Sequence, residues 1–346
     1  MHIGIAAQVA PRLSTAIILA FGLTIPVIAR AIVGRWPLST MLAASAPVAA
    51  VLATAVAILV TVALGWPAVL VWLPALVLIG SQLRLRRRPG CCGAPEQPCA
   101  SGAPGAELRI LSLNALAGRA SAAAICAEVL RLSPDVVAIQ ELTVDLAEQL
   151  TDRGLVDLLP HSELHALPGP RGIGVWSRWP VDSRSLVTDT DRPMLRVQLN
   201  LKPQVTMTLV HPDAPRRTAR QKRWRHDLKR LLSSLDAVAG HHLLIGDFNA
   251  SRDMKEFRCV LAAGFADCAD TAASRQWPGF TWPATSWLPP LLRLDHVLVS
   301  RTGALVHECR TIRVAGTDHL GVFAVIELSR RAGLVDRVGY LPPVPD

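Results

Sequence analysis

The sequence predicts a mixed α/β domain that follows two or three transmembrane helices. Residues 1–105 contain three long apolar runs and a single acidic residue, Glu96. From Glu107 onward, short apolar stretches of strand length alternate with amphipathic stretches of helix length, a pattern typical of α/β domains. We expect a membrane-anchoring region at 1–88, a flexible linker at 89–106, a folded domain at 107–330 and a C-terminal tail at 331–346.

The positive charge of the chain is concentrated in its N-terminal third. The 346 residues carry a formal net charge of +9. Seven arginines and one acid give residues 1–105 a charge of +6, so residues 106–346 carry only +3. A high pI often indicates nucleic-acid binding, but this folded domain is too weakly basic to require a non-specific DNA-binding surface.

Three apolar runs, at residues 13–33, 41–64 and 66–80, predict the membrane anchor. The run at 41–64 has no charge and no polar face, and its length suffices for a bilayer core of about 30 Å. A cleaved signal peptide would supply only one such run. Pro67 and Pro74 interrupt the shortest run, so we expect either two or three spans of a multi-pass protein in the cell membrane.

The membrane side of the folded domain stays open. With three spans, Arg30, Arg35 and the arginines of residues 84–88 fall on one side of the bilayer. The positive-inside tendency then places the folded domain in the cytoplasm. If one run does not cross, the side reverses.

Within residues 107–330, periodicity predicts strands and helices without an internal repeat. Apolar runs predict strands over residues 108–113, 135–139, 172–176, 195–201, 205–210, 293–300 and 321–328, and another that ends at Asp247. Residues 121–132, 144–150 and 219–235 have helical periodicity. Pro134 marks the stop after the first of these helices.

Polar residues follow several of these strands, where loops build sites on a rigid frame. Asn114, Glu141, His211 and Asp247 each come directly after the end of an apolar strand. Oxygen ligands such as the Glu141 carboxylate and the Asn114 amide suit Mg²⁺ or Mn²⁺ rather than zinc. Imidazoles beside carboxylates suit proton transfer and charge stabilisation at a phosphoryl group.

The segment Gly246-Asp247-Phe248-Asn249 is the centre of this pattern. On an extended backbone alternate side chains point the same way, so Asp247 and Asn249 would project together while Phe248 packs into the core. A carboxylate beside an amide suits the activation of a water molecule. The alternative is a strand that ends in an ordinary polar turn, because Gly, Asp and Asn are common turn residues.

Seven short segments together carry a resemblance to a known family. In chain order they are Leu111–Asn114, Ile139–Glu141, Gly172–Pro180, Val210-His211, Gly246–Asn249, Arg293–His296 and Thr317–His319. Their types and order resemble the endonuclease/exonuclease/phosphatase superfamily, which includes abasic-site endonucleases, DNase I, neutral sphingomyelinases and inositol-phosphate phosphatases. The resemblance covers nearly all of residues 107–328. It implies a four-layer α/β sandwich of the DNase I type, with two mixed sheets between helices.

The resemblance also implies a divalent metal, Mg²⁺ or Mn²⁺, and the residues around it. Glu141, with Asn114, would hold the metal. Asp318 would lie beside the metal or beside His319.

The same resemblance implies catalytic roles for five further residues. Asp247 would align or deprotonate the attacking water, and Asn249 would orient the phosphate. His319, supported by Asp295, would stabilise the negative charge that develops on phosphorus. His211 would contact a phosphate oxygen. These roles agree with in-line phosphoryl transfer, which depends on charge neutralisation and a positioned nucleophile.

The sequence departs from the family pattern at one informative position. Many nucleases of the family carry an acid two residues after the asparagine, where this chain has Leu116. That change favours a single metal ion and weakens the nuclease interpretation. The apolar N-terminal region and Thr281-Trp282-Pro283 resemble a membrane-bound bacterial branch that contains VanJ-type glycopeptide-resistance proteins. In that branch the catalytic domain is held to lie outside the membrane, which conflicts with the arginine count for three spans.

Two further features are open to more than one interpretation. The basic stretch 216–230, with Trp224, either contacts lipid headgroups or a polyanionic substrate, or is a solvated helix face. The loop at 277–292 contains Trp277, Trp282 and Trp287, lies between Asn249 and Asp295 in sequence, and either borders the site or packs structurally.

The sequence therefore predicts a membrane-anchored, metal-dependent phosphoesterase that hydrolyses a lipid-linked phosphate ester or diester. The expected partners are a phosphorylated substrate and the membrane. The first alternative is a membrane-tethered, Mg²⁺-dependent nuclease, with nucleic acid as a less favoured partner. The second is a catalytically inactive membrane scaffold.

Overall fold

The structure is a computed structural model of the 346-residue chain. It describes residues 22, 24–25, 44–64, 72–87, 106–235, 240–276, 279–285, 287, 289–301 and 303–329.

The first sheet has seven strands. They are β1 (Ala106–Asn114), β2 (Val136–Gln140), β3 (His161–His165), β4 (Ile173–Ser177), β10 (Ser274–Arg275), β12 (Ala304–Arg313) and β13 (Leu320–Leu328). Their order across the sheet is β10-β12-β13-β1-β2-β4-β3. The central pair β1–β2 is parallel, whereas β13 runs antiparallel to β1 on the other side. The sheet is therefore mixed, as expected.

The second sheet has six strands and is also mixed. They are β5 (Val181–Leu186), β6 (Leu195–Leu199), β7 (Val205–Val210), β8 (His241–Asp247), β9 (Phe265–Asp267) and β11 (Asp295–Ser300), in the spatial order β5-β6-β7-β8-β11-β9. The pair β7–β8 is parallel, and β11 runs antiparallel to β8 with Asp295 opposite Asp247.

Helices cover the outer faces of both sheets. α3 (Ala122–Leu132), α4 (Val144–Asp152) and the short α5 (Leu155–Leu158) lie on the first sheet. α6 (Thr218–Ser233) and α7 (Lys255–Ala262) lie on the second, and the short α8 (Cys268–Thr271) follows β9. Side-chain caps begin three of these helices, since Ser121 accepts from the Ala124 N–H, Thr143 from the Leu146 N–H and Asp267 from the Ala269 N–H.

The main hydrophobic core lies between the two sheets. Alternation along β1 sends Leu108 and Ile110 into this inner core and Leu111 and Leu113 under the helices. The layers are therefore helix, sheet, sheet and helix, which agrees with the DNase I-like α/β fold. Sequence periodicity did not predict β3, β5, β9, β10, β12 or α7, because most of these elements are short or carry polar residues on both faces.

Two N-terminal helices fall within the apolar runs. α1 (Ala46–Leu64) lies in the second run, and α2 (Trp72–Arg87) begins in the third and continues into the arginine cluster. Pro74 lies in the first turn of α2, where a missing N–H costs no helical hydrogen bond. Among the described residues, none of the helices is both long and apolar enough to cross a membrane. The first run, 13–33, lies almost wholly outside the described residues, so the transmembrane anchor stays a prediction.

Candidate active site

The strand topology brings the sequence-predicted residues to one rim of the two sheets. Asn114 ends β1, and Glu141 follows β2, its parallel neighbour. His211 and Asp247 lie at the ends of the parallel strands β7 and β8. Asp295 starts β11 directly opposite Asp247. His319 and Asp318 precede β13, which pairs with β1.

A buried aspartate–histidine pair lies at the centre of the site. The Nδ1 atom of His319 donates to Asp295 Oδ2 at 2.8 Å. Burial alone would lower the pKa of His319, but the Asp295 carboxylate and its hydrogen bond raise this pKa to about 10. His319 is therefore an imidazolium at neutral pH, and its Nε2 lies 3.9 Å from Asp247 Oδ2.

Asp247 is buried among other charged groups. Burial and the neighbouring Asp295 charge raise the pKa of Asp247 to about 7. The Asn114 side-chain amide donates to Asp247 Oδ2 at 3.0 Å, and the Asn249 N–H donates to Asp247 Oδ1 at 2.7 Å. A carboxylate with a pKa near 7 and fixed orientation is suited to accept a proton from water.

Glu141 is held on the other side of Asn114. The Asn114 amide donates to Glu141 Oε1 at 3.3 Å, and the Ala117 N–H donates to Glu141 Oε2 at 2.6 Å. Burial raises the pKa of Glu141. His211 Nε2 lies 3.5 Å from Glu141 Oε1. Burial, with the positive charges of Arg192 and His319, lowers the pKa of His211 to about 3, so its ring is neutral.

The carboxylates of this site fit a divalent cation. The ligand atoms of Asp247, Asp295 and His319 lie within 4.8 Å of one another. Buried oxygens of Asp295 (Oδ1) and Asp318 (Oδ1) accept no hydrogen bond from the described residues. Unsatisfied carboxylate oxygens are the hard ligands that such a cation prefers. Since the Nδ1 atom of His319 already bonds Asp295, the carboxylate oxygens rather than this ring nitrogen are available to a cation.

Two predicted residues point differently from the expectation. Asn114 Oδ1 accepts from the Leu116 N–H at 2.9 Å, so the Asn114 amide nitrogen, and not its oxygen, faces the carboxylates. A metal ligand role for Asn114 requires this amide to rotate. Asn249 Nδ2 donates to Pro212 O at 3.0 Å, because β8 ends at Asp247 and Asn249 adopts a left-handed φ of 47°. Phe248 packs edge-to-face on Phe257, as predicted.

Backbone strain is concentrated around the site. Among the described non-glycine residues, four around the site have a left-handed φ, namely Leu116, Ala117, Glu141 and Asn249. This conformation costs a residue with a Cβ on the order of 1 kcal/mol or more and tends to persist at functional sites. Here it aims the Ala117 N–H at the Glu141 carboxylate.

Sequence reasoning gave no site role to several residues that support the site. The Thr281 hydroxyl accepts from the N–H groups of Leu294 and Asp295, at 3.1 and 3.2 Å, and thereby fixes the start of β11. Asp213 binds Arg192 at 2.7 Å and Arg223 at 2.8 Å. The position of Asp213, two residues after His211, was the available signal, since the same spacing separates Asp247 and Asn249.

His296 belongs to a separate structural network. Its Nδ1 contacts Asp267 Oδ2 at 2.8 Å, and its Nε2 contacts the carbonyl oxygen of Ala250 at 2.9 Å. Arg293 binds Asp270 at 3.0 Å beside the same pair. These groups tie β9 and α8 to β11 and lie outside the catalytic rim.

Solved structures support the fold. TDP2 of D. rerio, humanised by 14 mutations, has 17% identity and a TM-score of 0.52 over 64% of this chain and 99% of that one. D. rerio TDP2 complexed with a single-strand DNA product has 16% identity and a TM-score of 0.51, over 64% and 99% of the two chains. A family protein from Leptotrichia buccalis has 17% identity and a TM-score of 0.51, over 64% and 100%.

Comparison with curated protein sequences gives no significant match. The model of the Endonuclease/Exonuclease/phosphatase family matches residues 111–319, more than half of the chain. Members of this family are hydrolases that act on phosphate ester bonds and generally depend on a divalent metal, so the prediction of a hydrolase is confirmed. The chain belongs to the endonuclease/exonuclease/phosphatase family.

Proposed function

We propose that this protein is a membrane-anchored, Mg²⁺- or Mn²⁺-dependent phosphoesterase that hydrolyses a lipid-linked phosphate ester or diester. The observation that carries the catalytic part of this proposal is the convergence of Glu141, Asp247 and the His319–Asp295 pair at one rim. Membership of the branch that contains VanJ-type proteins is part of the same proposal.

Each residue has a defined part in the hydrolysis. Glu141 holds the cation, which when bound neutralises charge on the phosphate. Asp247 accepts the proton of the attacking water, for which its pKa of about 7 is suited. The His319 imidazolium donates from Nε2 to the oxygen on which negative charge develops, and Asp295 orients the ring and keeps it protonated.

The neutral His211 ring and the Asn249 amide complete the phosphate contacts. His211 faces the site from the end of β7, next to Glu141. Asn249 donates from its side-chain amide nitrogen, which in the structure donates to Pro212 O. Asp318 directly precedes His319 in the chain. Its Oδ1 atom lies 4.0 Å from His319 Nε2, close enough to influence either the cation or the imidazolium.

The N-terminal helices support anchoring in a bilayer. α1 and α2 pack through small inward side chains, including Ala49, Ala53 and Ala75. The larger side chains of Val51, Leu59 and Val62 point outward, with exposed fractions of 65%, 68% and 82%. A contiguous apolar surface of this kind is rare on a soluble protein and favours contact with lipid. A substrate embedded in the same bilayer would then lie close to the catalytic domain.

A phosphate-release assay tests the proposal. Full-length protein in detergent, with Mg²⁺, should release phosphate or a phosphorylated headgroup from lipid phosphates, and EDTA should abolish this activity. Glu141→Gln and His319→Ala should each lower kcat by about 10²- to 10⁴-fold, while Glu148→Gln on the exposed face of α4 should retain activity. An absence of metal-dependent hydrolysis of any lipid or soluble phosphate ester would contradict the proposal.

The second candidate is a membrane-tethered nuclease. The D. rerio TDP2 structure contains a single-strand DNA product, so this fold accommodates DNA in that protein. Leu116 stands where many nucleases of the family have an acid, and this favours the first candidate. Cleavage of single- or double-stranded DNA at rates above those on lipid phosphates would reverse the order of the two.

A further inference from the structure

Arg216 and Trp282 meet at the rim of the active site from two separate loops. Arg216 lies in the loop between His211, at the end of β7, and helix α6. Trp282 lies in the loop that precedes β11. The guanidinium carbon of Arg216 is 5.8 Å from the centroid of the Trp282 ring, which is within the range of a cation–π interaction.

Trp282 is fixed to the loop that carries the catalytic imidazole. Its indole N–H donates to Asp318 Oδ2 at 3.1 Å. The Ala284 N–H donates to the carbonyl oxygen of the same Asp318 at 2.7 Å, and Asp318 precedes His319 in the chain. The indole ring therefore forms a rigid platform with Asp318 at one edge and Arg216 over its face.

The side chain of Arg216 differs from those of neighbouring arginines in its ion pairing. Its side chain is exposed, and among the residues that the structure describes no aspartate or glutamate pairs with it. By contrast, Arg192 and Arg223 both bind Asp213. A guanidinium held on an aromatic ring keeps its N–H donors directed outward and available for an anion.

We infer that Arg216, held over Trp282, is a specificity-determining residue that binds a second anionic group of the substrate beside the scissile phosphate. This inference rests on the proposed phosphoesterase function and adds a substrate class to it. That class consists of phosphate esters whose alcohol portion carries a phosphate or a carboxylate. The second anion would lie over the indole platform, separated from His319 by Trp282 and Asp318.

A pair of synthetic substrates tests this inference. The full-length protein with Mg²⁺ is assayed on 4-carboxyphenyl phosphate and on its neutral counterpart, 4-carbamoylphenyl phosphate, or on their methyl diesters if only diesters are cleaved. We expect kcat/KM to favour the carboxylate by about tenfold, as one charge-assisted hydrogen bond would give. Arg216→Gln should remove this preference through KM, with kcat on the neutral substrate unchanged.

Two further variants separate a specific contact from general charge. Arg220→Gln removes an exposed arginine one turn further along, in α6, and should preserve the preference. Arg216→Lys keeps the charge and should restore part of it. Equal loss in the Arg216 and Arg220 variants, or an unchanged preference in Arg216→Gln, would overturn the inference. If the wild-type protein hydrolyses neither substrate of either pair, the proposed function fails on these esters, whereas hydrolysis without discrimination contradicts only the Arg216 subsite.

Discussion

At the scale of single residues, the chemistry depends on which groups share a proton. The Asp295 carboxylate is bonded to His319, and the resulting imidazolium faces Asp247. The negative charges of Asp247 and Asp295 repel each other. Burial and the Asp295 charge therefore raise the pKa of Asp247 to about 7. Groups whose pKa values are pushed in opposite directions from pH 7 can act as the acid and the base of one reaction.

Replacing Asp295 by Asn tests this arrangement. The variant removes the negative charge that raises the pKa of His319 to about 10, so this pKa should fall. Activity that needs the imidazolium should then decline at a lower pH on the alkaline side, and kcat at neutral pH should drop by about 10²-fold or more. The pH–rate profile and an NMR titration of the His319 ring measure both effects. Asp145→Asn, near the start of α4, is the control, and an unmoved alkaline limb would contradict the role given to Asp295.

The site residues could be predicted from the sequence where they follow the end of a strand, but the orientations of their side chains could not. Asn114, Glu141, His211 and Asp247 stand out in the sequence because each follows an apolar run. The orientation of the Asn114 amide depends on a hydrogen bond from the Leu116 N–H. Leu116 has a left-handed φ, a conformation that local propensity disfavours for leucine. Thr281 supports Asp295 from 14 residues away through a hydroxyl–backbone bond, and no periodicity indicates such a contact.

At the scale of elements, the site depends on how closely β7 and β8 approach each other. Gly246 in β8 faces Val210 in β7 and has a φ of 137°. A Cβ at this glycine would lie 2.3 Å from the Val210 carbonyl oxygen and 3.2 Å from the Gln140 side chain. The position immediately before Asp247 therefore admits no side chain without moving the strands that carry the site.

Gly246→Ala should therefore destabilise the protein strongly. We expect a loss of roughly 3 kcal/mol or more, because the clash is with backbone and adds to the cost of the unusual φ. Urea unfolding of the variant and the wild type measures the change. Gly264→Ala is a matched control, since Gly264 also has a positive φ, of 100°, but has open space around its added Cβ. Similar losses in both variants would show that strain, and not the β7–β8 contact, dominates.

Element boundaries followed the sequence best in the buried strands. β2 and β8 read as continuous apolar runs because both of their faces are covered. β5 and β12 were missed because exposed polar side chains alternate irregularly along them, and each pairs across a register shift. Their strand conformation comes from pairing with a neighbour rather than from local pattern.

At the scale of the whole molecule, buried neutral histidines link stability to pH. His242 in β8 contacts Thr208 Oγ1 at 2.9 Å, and burial together with Arg196 lowers the pKa of His242 to about 3. Its ordinary value is 6.5, so the unfolded chain binds this proton first as the pH falls. The contribution of His242 to folding is complete above pH 6.5 and is lost as the pH falls toward 3.

The melting temperature should accordingly fall between pH 6.5 and pH 4, and His242→Gln should flatten this fall. At pH 5 the linkage amounts to about 2 kcal/mol at most, at 1.36 kcal/mol per pKa unit. Thermal unfolding of both proteins over this pH range measures the difference in slope. His226→Gln, which removes an exposed ring, is the control. Parallel curves for the wild type and His242→Gln would exclude His242 as a source of acid lability.

The N-terminal helices and the catalytic domain differ in where their apolar side chains lie. The catalytic domain buries its apolar side chains between layers, whereas α1 and α2 leave Val51, Leu59 and Val62 outward.

Replacing these three residues by Ser preserves the inward alanine contacts but removes apolar surface worth roughly 1.5 to 3 kcal/mol per side chain in contact with lipid. If this surface faces a bilayer, the triple variant should shift from the membrane fraction toward the soluble fraction, measured by flotation with liposomes. Serine at three exposed apolar positions of the catalytic domain, Leu130, Val144 and Leu164, should not change flotation. Equal flotation of both triple variants would place the membrane contact elsewhere. Both variants remove exposed apolar side chains, but only those on α1 and α2 contact lipid if the protein is anchored through these two helices.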